Sequence, residues 1–280
     1  MNTGNIYKSP QGEEMMMDFY DRMLANWPVE YSETDVETSF GMTHVIISGS
    51  EGNPPLVVLH GSTSNATTWA GDISGYSKEF HVYAIDMPGE PGKSTQNRLS
   101  WENEDYPVWL SQVFDGLALT KPHIAGLSLG GWAALKFAAT YPERTGKVIL
   151  IAPGGVVNPN MKAIIKMISY ASQGEQGVEK TLRLLFPDNF KSAEVREFFS
   201  LLNEHFVIRS EAVKPLPDSV LSKVQGPVLM VCGARDAIFN FKKAKKRLEK
   251  LIPDSKTLLF EEGTHGLVCM AKTIIPFLKM

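Results

Sequence analysis

The stretch "HIAGLSLGGWAALKF", residues 123–137, joins a short apolar run to an alanine-rich one through a turn of glycines around a single hydroxyl, Ser128. Gly126, Ser128 and Gly130 spell G-x-S-x-G. In this pattern a strand turns so sharply into a helix that the serine takes a strained backbone conformation, and only glycine fits on either side of it. The run "KPHIAGLS" (121–128) predicts the strand, and a helix is predicted over 131–141.

Working outward, β-rich runs recur on both sides. "THVIISG" (43–49) and "PLVVLHG" (55–61) read as two early strands separated by a turn at 49–54. "FHVYAIDMPG" (80–89), "GKVILIAPGG" (146–155), "GPVLMVCGARD" (226–236) and "KTLLFEEGTH" (256–265) follow. Several are near-continuously apolar rather than alternating, as strands covered on both faces of a parallel sheet should be. Helical segments are predicted over 106–119 and 241–251, at the C-terminus after His265, and at the N-terminus over 12–27. Strand and helix alternate, so the fold class is α/β with a doubly wound, mainly parallel sheet.

One interval breaks the rhythm. Between 154 and 223 the sequence offers no strand, only helix-compatible stretches such as "MKAIIKMISYASQ", "GVEKTLRLLF" and "SAEVREFFSLLNEHF". The expected organisation is a core of residues 1–153 and 224–280, including the N-terminal helix, with an inserted helical lid at 154–223.

The composition narrows the function classes. A chain of 280 residues with 43% hydrophobic content can bury a large core, and a net charge of −3 gives no electrostatic reason to expect nucleic acid or an anionic membrane as partner. The basic run from Lys242 to Arg247 is interleaved with and followed by Ala244, Leu248 and Leu251 at helical spacing and reads as the solvated face of an amphipathic helix. Cys232 and Cys269 lie in apolar stretches without metal-ligand spacing and are expected to be buried free thiols in a reducing compartment. No stretch has the length of a membrane span. Glu13, Glu14 and Asp18 around the methionine cluster rule out a secretory signal there, so a cytoplasmic protein is expected.

A serine hydroxyl is a poor nucleophile until a neighbouring base takes its proton. Of six histidines, His265 in "EEGTHGL" is best placed, after the last strand and before the last helix. The histidine in turn needs an acid. Asp236 in "CGARDAIF", just beyond the penultimate strand, fits in both type and location, with a helix N-cap as the lesser alternative. The alternative place after the strand ending at Pro153 reads "APGGVVNPN" and holds no acid; Glu261 and Glu262 are weaker competitors because they sit on or just after the strand that delivers His265.

The order Ser128, Asp236, His265 is that of the α/β-hydrolase triad. On "VVLHGS", "GLSLGGWAALKFAATYPERTGKVILIAP", "VCGARDAIF" and "GTH", the chain from about Val36 onward resembles the α/β-hydrolase superfamily. Within it, the N-terminal stretch "YKSPQGEEMMMDFYDRMLANWPVEY" is similar to that of bacillus-type carboxylesterases. The resemblance implies an oxyanion hole made by the backbone N–H groups of Ser62 and Leu129, with His60 as a structural residue holding its loop.

It also implies a serine hydrolase that cleaves a carboxylic ester through an acyl-enzyme, with no cofactor and no metal. The substrate would be a small molecule with an apolar portion, held near lid residues such as Ile164, Ile165, Met167, Leu184, Leu185 and Phe186. C–C bond hydrolysis, lyase chemistry, acyl transfer and a non-enzymatic ligand receptor remain open on the same residues. The sequence leaves the oligomeric state open. One departure stands out: where these hydrolases carry Asp-x-Pro-Gly-x-Gly-x-Ser, this chain reads "DMPGEPGKS" (86–94), one residue longer. Its "GKS" ending is not a phosphate-binding loop, because Met87 stands where that motif needs glycine.

Overall fold

A computed structural model describes residues 5–186, 192–209 and 211–280. The strands are β1 (Tyr31–Thr38), β2 (Gly41–Ser48), β3 (Pro55–Leu59), β4 (His81–Ile85), β5 (His123–Leu127), β6 (Val148–Ile151), β7 (Val228–Gly233) and β8 (Ser255–Phe260). They form one sheet in the order β1-β2-β4-β3-β5-β6-β7-β8. β2 pairs antiparallel with β1 and β4, and every later pairing is parallel.

The helices are α1 (Pro10–Ala25), α2 (Ala70–Tyr76), α3 (Asp105–Gly116), α4 (Leu129–Thr140), α5 (Met161–Ala171), α6 (Gly174–Leu185), α7 (Ala193–His205), α8 (Asp218–Leu221), α9 (Phe241–Leu251) and α10 (Ala271–Lys279). The continuous apolar runs are explained by two hydrophobic layers. Val57 and Leu59 of β3, Val148 and Leu150 of β6, and Val228 and Met230 of β7 face one layer, shared with Trp109 and Phe114 of α3, Phe137 of α4 and Leu248 of α9. The alternate residues Leu56, Val58, Ile149, Ile151, Leu229 and Val231 face the other, with Tyr20 of α1, Ile73 of α2 and Ile274 of α10. Each central strand thus removes apolar area from water on both faces, at roughly 25 cal/mol per Å² buried.

The first strand of the sheet has no counterpart in the sequence reading. β1, "YSETDVET", is an edge strand that buries only Val36 and Thr38 and shows water a row of charged and hydroxyl side chains. Such a strand carries no apolar signal because it has no second layer to cover, and its charges discourage edge-to-edge pairing. The short α2 was likewise unread, and α4 starts at Leu129, directly after the serine, rather than at 131. Cys232 is buried as expected, but Cys269 is exposed. Its apolar neighbours "GLVCM" form a loop ahead of α10 rather than a buried helix turn.

Between β6 and β7 the described residues carry α5, α6, α7 and α8 and no strand; positions 187–191 and 210 of this interval lie outside the described residues. α1 packs against α7, with Met16 and Phe19 meeting Leu201, Leu202 and Phe206. Ser9 caps α1 by accepting from the Gly12 N–H, and Pro10 opens the helix. Among the described residues no helix is long and apolar enough to cross a membrane.

Candidate active site

Ser128 lies between β5 and α4 at φ 50°, ψ −104°, a backbone region L-residues rarely adopt. A β-carbon on Gly126 would stand 2.2 Å from the Gly130 carbonyl oxygen, and one on Gly130 would stand 2.2 Å from the Leu59 carbonyl oxygen. Both contacts are far inside van der Waals distance, so the turn can close only with glycine on both sides. The Ser128 N–H donates to the Ile151 carbonyl at 2.9 Å, and the Ser128 carbonyl accepts from Gly154 at 2.9 Å, which ties the turn to the end of β6.

His265 follows β8, and its Nε2 lies 3.1 Å from Ser128 Oγ. Its Nδ1 lies 2.9 Å from Asp236 Oδ2. Three residues from three different strand ends, separated by as many as 137 positions, thereby form one continuous hydrogen-bonded line. The Asp236 side chain is only 3% exposed, so its carboxylate works in a medium where its field is weakly screened. Its other oxygen, Oδ1, accepts from the Ile238 N–H at 2.7 Å and the Phe239 N–H at 3.0 Å. Capping and histidine contact are therefore not alternatives; each carboxylate oxygen has its own partner. Glu261 and Glu262 are exposed, and Glu262 pairs with Arg235 at 2.5 Å, away from the histidine.

The loop that carries His265 is gripped from the helical segment. The Leu185 carbonyl, at the end of α6, accepts from Thr264 Oγ1 at 2.7 Å and from the Gly266 N–H at 2.7 Å, one bond on each side of the histidine. The sequence reading missed this contact because a carbonyl has no side-chain signature. Beside it, Phe239 packs on the imidazole with ring centroids 5.5 Å apart. Phe239 belongs to an apolar cluster with Ala163, Ile164, Met167, Leu184, Leu185 and Phe186. Ile165 points elsewhere and is 61% exposed.

Opposite the serine runs the loop after β3. Gly61 approaches so closely that a β-carbon there would be 3.7 Å from Ser128 Cβ. His60 is fully buried, and burial depresses its imidazole pKa, so the ring is neutral. Its Nε2 accepts from the Met87 N–H at 2.9 Å, which leaves the proton on Nδ1 to be donated to the Gly61 carbonyl at 2.8 Å. Turning that carbonyl fixes the Gly61–Ser62 peptide and hence the direction of the Ser62 N–H on its opposite side. Among the described residues neither the Ser62 N–H nor the Leu129 N–H has an acceptor. Backbone N–H groups without an acceptor, one directly after Ser128 and one directly after Gly61, are of the kind that can receive a developing negative charge.

A separate cavity of about 670 Å³ opens behind Asp236 between Val156, Asn158, Asn160 and Lys243. It reaches neither Ser128 nor His265, so a carbonyl bound there could not meet the hydroxyl.

The chain is similar to known proteins over most of its length. The sequence profile described as "Alpha/beta hydrolase family" matches residues 56–271. Carboxylesterase YbfK of Bacillus subtilis is 29% identical over 89% of this chain and 86% of its own length. The carboxylesterase nap of the same organism, described as uncharacterized, is 30% identical over 89% of this chain and 85% of its own length. The crystal structure of naproxen esterase (carboxylesterase NP) from Bacillus subtilis superposes with a TM-score of 0.84 at 27% identity and covers 97% of both chains.

Proposed function

From the premise that the chain belongs to the alpha/beta hydrolase family and is an ester hydrolase of carboxylesterase type, we propose that Ser128 is its nucleophile, His265 its general base and acid, and Asp236 the group that orients the histidine. The single observation that carries this reading is the line from Ser128 Oγ through His265 to Asp236 Oδ2, with steps of 3.1 and 2.9 Å.

The chemistry follows from the atoms in contact. Asp236 Oδ2 accepts a hydrogen bond from the Nδ1–H of His265, which keeps the proton on Nδ1 and leaves the Nε2 lone pair facing Ser128 Oγ. As Oγ bonds to the ester carbonyl carbon, Nε2 takes its proton, and the positive charge on the ring is stabilised by the buried carboxylate. The carbonyl oxygen becomes an oxyanion that the Ser62 and Leu129 N–H groups receive; each such donor is worth roughly a hundredfold or more in rate. Collapse expels the alcohol, protonated by Nε2, and leaves an acyl group on Ser128. Water, activated by the same nitrogen, then releases the carboxylic acid and restores the serine.

The helices between β6 and β7 act in this reading as a lid. Ile164, Met167, Leu184 and Phe186, in the cluster that contains Phe239, supply an apolar wall for one portion of the ester. A panel of p-nitrophenyl esters of increasing acyl length, run beside a vinylogous 1,5-diketone, tests it. Turnover of the esters with a stoichiometric covalent label on Ser128 from a fluorophosphonate is the expected result. Cleavage of the diketone alone would assign the same residues to C–C bond hydrolysis, and turnover of neither substrate would leave a binding protein.

A further inference from the structure

Glu90 lies in the 86–94 loop, and the proposed chemistry does not use it. It is 5% exposed, and its Oε2 accepts from the Thr63 N–H at 2.6 Å. Thr63 is the residue after Ser62, and its backbone is left-handed, with φ 52°. A threonine in that region is strained and holds it only where its surroundings insist.

The two peptides flanking the Ser62 α-carbon are thus held by two different buried groups. His60 holds the first through the Gly61 carbonyl, and Glu90 holds the second through the Thr63 N–H. Further along, Ala66 N–H donates to Asp86 Oδ1 at 2.7 Å, and Asn65 Nδ2 to the Pro91 carbonyl at 2.9 Å. Without the Glu90 contact, the segment from Ser62 to Ser64 would have no tie to the 86–94 loop, and the peptide next to Ser62 could turn over.

We propose that Glu90 is a positioning residue for ester hydrolysis, which holds the Thr63 N–H so that the neighbouring Ser62 N–H stays aimed at the reacting carbonyl oxygen. The inference rests on the reading of Ser62 and Leu129 as oxyanion donors.

The charges around Glu90 make the device sensitive to pH. Burial pushes its carboxyl up to about 7, against the Thr63 N–H and the guanidinium groups of Arg98 and Arg209, which favour the ionised form. Both arginines have other partners: Arg98 donates to the Val207 carbonyl, and Arg209 donates to the Leu99 carbonyl at 2.8 Å and to Glu211 at 2.7 Å. Neutral Tyr7 and Tyr106 also face this region and feel the carboxylate. As Glu90 takes up a proton, its bond to Thr63 changes from charge-assisted to neutral, which is roughly half as strong.

The experiment measures kcat and KM for p-nitrophenyl acetate from pH 5.5 to 9 in the wild type, Glu90→Gln and Glu90→Ala, with Ser128→Ala alongside. Glutamine keeps the size and a neutral acceptor, and so stands for the protonated state at every pH. At pH 9 kcat of Glu90→Gln should be down about tenfold, and that of Glu90→Ala between ten- and a hundredfold, less than the loss of a whole oxyanion donor, with KM little changed. Below pH 6 the wild type should fall to the Glu90→Gln value, so the ratio of the two rates approaches one. A ratio that is flat with pH, or within twofold of one at pH 9, overturns the proposal. If Glu90→Ala fails to fold, Glu90→Gln decides alone. Full activity in Ser128→Ala would instead sink the underlying reading, whatever Glu90 does.

Discussion

Asp236→Asn separates the orienting role proposed for Asp236 from its capping contacts more sharply than any other change, because the two carboxylate oxygens have different partners. Oδ1 accepts from two backbone N–H groups and Oδ2 faces His265. An asparagine has one oxygen to distribute. If the amide NH2 faced Ile238 and Phe239, two donors would meet a donor, and each unsatisfied group costs roughly 1–3 kcal/mol. Turning the NH2 toward His265 costs less, because a neutral imidazole can move its proton from one nitrogen to the other. The asparagine therefore keeps its oxygen on the cap and presents a donor to Nδ1. Nδ1 becomes the acceptor, the proton moves to Nε2, and the ring has no lone pair left for Ser128 Oγ.

The expected loss is three to four powers of ten in kcat/KM, about 4–5.5 kcal/mol of barrier. The thermal midpoint should barely move, since both cap bonds survive. Asp236→Ala removes the caps as well and should cost about 1–2 kcal/mol of stability in addition. Hydrolysis of p-nitrophenyl butyrate at pH 8 and thermal unfolding of both variants give the two quantities. Glu261→Gln and Glu262→Gln, on exposed side chains, should stay within twofold of the wild type. The reasoning is refuted if Asp236→Asn keeps a tenth of the activity, or if it loses as much stability as Asp236→Ala.

Other changes test neighbouring parts of the site. Ser128→Ala should abolish ester turnover and keep the fold, while Ser128→Gly, equally inactive, should unfold later than Ser128→Ala because glycine relieves about 1–2 kcal/mol of positive-φ strain; differential scanning calorimetry of the pair decides this. Gly130→Ala drives a methyl to 2.2 Å from the Leu59 carbonyl oxygen and should leave little soluble protein, as gel filtration of the expressed variant would show. The raised carboxyl pKa of Glu90 means that the folded state favours its protonated form. That stability is fully present below the ordinary carboxyl range and is lost as pH rises toward about 7. Glu90→Gln lacks this loss, so its stability relative to the wild type should climb between pH 4.5 and 7.5 by on the order of 3 kcal/mol, read from urea unfolding at the two ends. A flat difference would place the Glu90 titration elsewhere.

What the sequence reveals of this molecule follows from which interactions leave a one-dimensional trace. Strands buried on both faces leave apolar runs, and a turn that tolerates no β-carbon leaves paired glycines, so β3 to β7 and the Ser128 turn were legible. β1 was not, because an edge strand such as "YSETDVET" is selected for solvation. Cys269 sits among apolar letters, yet its segment is held as a loop with φ 59° by Asp72, whose carboxylate accepts from the Cys269 and Ala271 N–H groups across 197 and 199 positions. Neither Asp72 nor the Leu185 carbonyl carries any mark of its distant partner. Ser128, Asp236 and His265 were nameable from their places in the strand order, but the division of partners between the two oxygens of Asp236 needed coordinates.

The loop from Asp86 to Ser94 shows how a departure from pattern can be resolved by packing. Asp86 accepts from Ala66 N–H with one oxygen and from Lys93 N–H with the other, at 2.7 and 2.8 Å, and Gly92 lies so close beneath it that a β-carbon would stand 2.5 Å from its carboxyl carbon. The two ends of the loop are therefore drawn together, and the residues between must arch outward. Gly89, at φ 73°, and the Gly92 N–H bond to the Glu90 carbonyl shape that arch. Its crest delivers Glu90 to Thr63 and Pro91 to Asn65, the two contacts that brace the far side of the Ser62 loop. The same nine residues therefore close on Asp86 at their ends and reach the Ser62 loop at their crest. The crest contacts of this segment, Glu90 to the Thr63 N–H and the Pro91 carbonyl to Asn65, thus bear on how firmly the peptide beside Ser62 is held.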